Sequence, residues 1–84
     1  GAVQPLTQLE WDSTEDPGIA GYVVYWRDTT APQWQHARYF PANTNAVELT
    51  GIVIDNYLFG VASIGKNGDQ SLVAYPRTLI PRRR

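Results

Sequence analysis

The 84-residue chain carries a formal net charge of −1 and no cysteine. That composition excludes disulfides, thiol catalysis and thiolate metal sites, and it provides no global field to gather nucleic acid or anionic lipid. At 43% hydrophobic and 18% charged it is ordinary globular material, and its length allows one domain with one core and little room for a deep catalytic cleft.

The elements follow in chain order. "PLTQLEW" puts Leu9 and Trp11 on one face and Gln8, Glu10 and Asp12 on the other, the two-residue period of a half-buried strand. "DSTEDPG" is dense in turn formers and ends it. "IAGYVVYWR", Ile19 to Arg27, is β-branched and aromatic and predicts a second strand. After "DTTAP", "QWQHARYF" predicts a weaker strand over Gln33 to Phe40, and "AVEL" one over Ala46 to Leu49. Tyr57 to Ile64 alternates again, and after the loop "GKNGDQ" a last strand starts in "SLVAYP", weakened by Pro76.

No stretch sustains a helical period, so the chain reads as all-β. Short strands with turn signals every eight to twelve residues or so predict an immunoglobulin-like Greek-key sandwich of two antiparallel sheets, with six or seven strands. Residues 1–84 form one domain on this reading, with the core in 6–76 and a basic tail in 77–84 that ends in three arginines. Such a tail is expected to be a solvated end. No apolar run is long enough to span a membrane.

Tyr57 stands just after "TGIVIDN", where the alternation restarts. A buried tyrosine hydroxyl without a partner costs roughly 1–3 kcal/mol. In Greek-key sandwiches a tyrosine at this place turns its hydroxyl back to the preceding crossover, so a structural role is expected for Tyr57. The predicted core is Leu9, Trp11, Tyr22, Val24, Trp26, Leu49, Tyr57, Phe59 and Val61.

The ordered set "LEW", "GYVVYW", "LTGI…NYLFGVAS" and Gly68 with Ser71 resembles a fibronectin type III domain. Trp11 would be the core tryptophan of that family's second strand, and Tyr22, Val24 and Trp26 its third-strand run. The crossover lacks the usual proline, and only "GAVQP" is left for a first strand. "GYVVYWRDTTAPQWQHARYF" and "DNYLFGVASIGKNGDQSLVAYP" are also similar to the C-terminal extension of secreted bacterial zinc-dependent aminopeptidases. Thr30, Ala31, Pro32, Trp34, Asp55, Asn56 and Gly60 carry that narrower likeness. It implies a secreted or periplasmic hydrolase as the parent and nothing catalytic in these residues.

Catalysis has little to build on. His36 is the lone histidine, and nucleophile–base chemistry or a hydrolytic zinc site needs several converging groups. The acidic run from Asp12 fails the calcium-loop pattern, because its sixth and twelfth positions are Pro17 and Val23. The expectation is therefore no catalytic residue, no metal and no cofactor. Trp34 and Tyr39, with Tyr25 near them, could stack on a saccharide or cover one end of the sandwich.

The more informative feature is an asymmetry. With Trp11, Trp26 and Tyr57 inward, the outward residues of the second and fifth strands of the resemblance are polar. Those of the third and sixth put Val23, Tyr25, Leu58 and Ile64 in one apolar patch. A contiguous patch of this kind marks an interface. The expected partner is the catalytic domain of a parent chain or another protein. A polysaccharide is the alternative, and neither nucleic acid nor a membrane span is expected.

Overall fold

The strand Ile19–Asp28 organises the molecule, because it carries the longest unbroken alternation of large apolar side chains. The structure is a computed structural model that describes residues 6–12, 16–52, 56–71 and 73–79. Among the described residues it is all-β. Six strands run in order as β1 (Leu6–Glu10), β2 (Ile19–Asp28), β3 (His36–Pro41), β4 (Ala46–Thr50), β5 (Tyr57–Gly65) and β6 (Arg77–Leu79). They form two three-stranded sheets, β4-β1-β6 and β3-β2-β5, with every pairing antiparallel.

The two-residue period fixes which side chains meet between the sheets. Tyr22, Val24 and Trp26 on β2 and Phe59 and Val61 on β5 are buried, with Val24 opposite Val61 and Trp26 opposite Phe59. From the other sheet come Leu9, Leu49 and, just past β1, Trp11. Removing a side chain such as Leu9 from water contributes roughly 1.5–3 kcal/mol. Trp11 joins the layers, its ring 5.7 Å from that of Tyr22 and 6.4 Å from that of Phe40. Tyr57 is half-buried and leans on Phe59 at 6.5 Å. Positions 53–55 of the crossover, toward which its hydroxyl is expected to turn, lie outside the described residues.

One inward residue on β1 is polar. Thr7 is fully buried, and its hydroxyl donates to the Ile52 carbonyl at 2.7 Å. The crossover after β4 is thereby tied to the centre of the β1 sheet, and a buried hydroxyl gains its partner.

The C-terminal part differs from the sequence expectation. The chain reverses after β5 through Gly68, whose φ of 94° an L side chain rarely adopts. Asp69, Ser71 and Ala74 then lie beside β5, with Val61 and Ala74 exchanging backbone hydrogen bonds at 2.8 and 2.9 Å. Pro76 has no N–H to extend that ladder. Beyond it the chain changes sheets, and Arg77, Thr78 and Leu79 pair with Glu10, Leu9 and Gln8 of β1. Strand pairing therefore continues to Leu79, past the expected core limit of 76, and the exposed Arg77 sits in a strand at the start of the expected tail. Its guanidinium lies 3.2 Å from Glu10 and 3.1 Å from Asp12. Its pKa is raised, first by the hydrogen bond to Asp12 and then by that to Glu10. A raised cationic pKa gives stability that is lost only as pH climbs through it, far above neutrality.

Candidate functional site

The outer faces of the two sheets differ in kind. On β4-β1-β6 the outward positions hold Gln8, Glu10, Glu48 and Thr50, with Leu6 and Ala46 at the strand ends, and the Gln8 side-chain amide donates to Glu48 at 3.3 Å. The polar groups among them are the majority. Those groups are solvated and compete with water for each bond.

On β3-β2-β5 the outward positions are largely apolar. Tyr25 lies opposite Gly60 and Ala37, and Val23 opposite Ala62 and Tyr39. Trp34 comes from the β2–β3 connection and folds over this face. The connection is shaped by a turn in which the Ala31 N–H donates to the Asp28 carbonyl at 3.0 Å, and it is closed by the Gln35 N–H donating to Trp26 at 3.1 Å. The indole stacks on Tyr25, with centroids 5.8 Å apart and planes at 28°. The Arg27 guanidinium sits 5.3 Å from the centre of the Trp34 ring and donates to the Ala31 carbonyl. Such a cation over a tryptophan adds attraction while using the arginine donors locally.

Gly60 explains why the indole can lie so close. A Cβ there would stand 2.9 Å from Trp34 Cζ2 and 3.0 Å from Cη2, and it would also overlap a methyl of Val73. A strand glycine here marks a close approach of another group. Trp34 and Gly60, two of the residues behind the narrower resemblance, are thus partners in one contact. The Tyr25 hydroxyl donates to the Gln70 side chain at 3.0 Å, and the Tyr39 hydroxyl to the Ala20 carbonyl at 2.8 Å.

The patch expected from sequence is consequently not bare. Val23, Tyr25 and Ile64 are half-buried, and Gly60 and Ala62 are buried although they point outward. Leu58, 36% exposed, stays open. Trp34 and Val73 roof the centre, because two large side chains over glycine and alanine exclude water where the sheet alone could not. What the face offers a partner is Leu58, Val73 and Tyr39, the last 56% exposed, around the half-buried Trp34. Val73, Gln70 and the roofing itself escape sequence reasoning. The mid-strand Gly60 was the available signal.

His36 stacks on Trp26 at 5.2 Å, at the rim of the core. Among the described residues, no three His, Cys, Asp or Glu side chains converge as a metal site would need. Asp16 accepts the Gly18 N–H at 2.8 Å and shapes the turn before β2, while positions 13–15 lie outside the described residues. No helix among the described residues is long and apolar enough to cross a membrane.

With this geometry in view, likeness to known proteins places the chain. No family model matches it. It is 33% identical over 73 residues to a protein of Pyrenophora teres f. teres named "Probable zinc metalloprotease", covering 84% of this chain and 16% of that protein. It is 40% identical over 72 residues to a protein of Pyricularia oryzae with the same name, covering 81% of this chain and 14% of that protein. The chain therefore corresponds to a small part of larger fungal proteins named as zinc metalloproteases, where the sequence resemblance pointed to bacterial ones. A solved structure described as "Myokine structure" shares the fold, with a TM-score of 0.65 at 20% identity, covering 94% of this chain and 84% of that one.

Proposed function

We propose that this domain is a non-catalytic accessory module of a larger zinc metalloprotease, and that it docks on the catalytic domain through the outer face of β3-β2-β5. We also read the sandwich as fibronectin type III in its Greek-key order. In support, β1 is central in one sheet and β2 in the other, and Asp69, Ser71 and Ala74 lie beside β5. A secreted or periplasmic parent accompanies this reading.

The observation that carries the docking proposal is the roofed aromatic face. Exposed Leu58, Val73 and Tyr39 surround Trp34, and Arg27 has its guanidinium occupied by Trp34 and Ala31. Burying such side chains can contribute several kcal/mol at roughly 25 cal/mol per Å², before the costs of association. The small share of the matched metalloproteases that this chain covers is consistent with a module beside a larger domain.

The test replaces Leu58 and Tyr39 with Lys, since Tyr25 lies under Trp34 and would disturb the fold. Module folding should survive while affinity for the catalytic domain drops at least tenfold, followed by calorimetry. Unchanged affinity in a folded double variant would remove this face as the docking surface.

A further inference from the structure

A cleft of about 320 Å³ opens between the two sheets where the chain crosses from β5 to β1. It is separate from the aromatic outer face. Trp11, Tyr22, Val61 and Ala74 give it an apolar floor, and Glu10, Asp12 and Arg77 stand at its edge. At roughly 30 Å³ per water its volume equals about ten waters, at the small end of ligand pockets. That suits one ring-sized ligand.

Two observations point to a ligand. The Trp11 indole N–H is closed to bulk water and has no hydrogen-bond partner among the described residues. A buried donor left unmade costs about 1–3 kcal/mol. In addition, Tyr75 lines the cleft and is 80% exposed, which leaves a large ring open beside an apolar floor.

The chemistry of the groups selects among ligands. Indole N–H can only donate, so its partner must accept. Glu10 and Asp12 each commit one carboxylate oxygen to Arg77, and the other oxygen of each has no partner among the described residues. Both side chains are exposed, so those oxygens can accept from a ligand in place of water. A lysine or arginine side chain only donates and would leave Trp11 unmade. A hydroxyl both donates and accepts, and the C–H face of a sugar ring fits an aromatic side chain.

We propose that this cleft binds one neutral saccharide unit. Its hydroxyls donate to Glu10 and Asp12, one of them accepts from Trp11 Nε1 as the Tyr75–Arg77 crossing shifts to admit it, and Tyr75 stacks on its ring.

The experiment titrates the 84-residue chain with the methyl glycosides of glucose, mannose, galactose and N-acetylglucosamine. It follows the Trp11 indole ¹H–¹⁵N resonance, assigned with Trp11→Phe. The proposal requires a saturable shift of that resonance with at least one glycoside. Tyr75→Ala, at an exposed site, should keep the fold and weaken binding about fivefold to tenfold, as loss of one aromatic contact does. A Trp11 resonance unmoved by every glycoside overturns the proposal. So does a shift produced only by a lysine-containing peptide, or unchanged affinity in folded Tyr75→Ala.

Discussion

The two outer faces of this sandwich are made from strands of the same type, yet they treat their outward positions in opposite ways. On β4-β1-β6 those positions are mostly polar, with Gln8, Glu48 and Thr50 meeting water directly beside an exposed Leu6. On β3-β2-β5 they hold glycine, alanine and aromatics, and a tryptophan from a loop is laid across them. Each sheet has one face in the common core, so the core alone does not require this difference. The second sheet buries outward-pointing Gly60 and Ala62 under its own loop and C-terminal segment, which builds a closely packed aromatic surface. A polar face can be altered freely, whereas the roofed one is close-packed like an interior.

Substitutions at matched positions should expose that contrast. Gly60→Val would drive a side chain into Trp34 and Val73. It should destabilise the fold by about 2–3 kcal/mol, the upper part of the overpacking range, as read by urea unfolding with Trp fluorescence. Thr7→Val on the inner face of the other sheet removes the hydroxyl that meets the Ile52 carbonyl. A loss of about 1–2 kcal/mol is expected there, with the carbonyl left unpaired. Gln8→Val, on the wet face, should change stability by no more than about 0.5 kcal/mol. Arg77→Ala tests the weakest feature, because its pairs with Glu10 and Asp12 are exposed. The melting temperature should barely move, and what shift there is should vanish in high salt. If Gly60→Val proved as harmless as Gln8→Val, the two faces would not differ in packing.

Much of the all-β fold was legible because large apolar side chains recur with period two in "GYVVYW" and "NYLFGVAS", and the turn signals between strands are strong. The inward sides of β1, β2 and β5 followed from that period. The C-terminal path was not legible. Pro76 read as weakening a strand, and the sheet change it accompanies depends on pairing with β1, 67 positions earlier at Glu10–Arg77. Trp34 was also misplaced within a strand, since its attraction to Tyr25 and to the bare backbone of Gly60 is a tertiary effect that local propensity cannot report. At the candidate interface, alternation found the face, and only the structure shows which of its residues are covered.

The account turns on which face meets another domain. The most direct measurement compares hydrogen exchange and carbodiimide or hydroxyl-radical footprinting of the isolated module with the same module inside a full-length metalloprotease. Leu58, Tyr39 and Val73 should become protected, while Gln8 and Glu48 keep their reactivity. Protection of Gln8 and Glu48 with Leu58 and Tyr39 still open would contradict it.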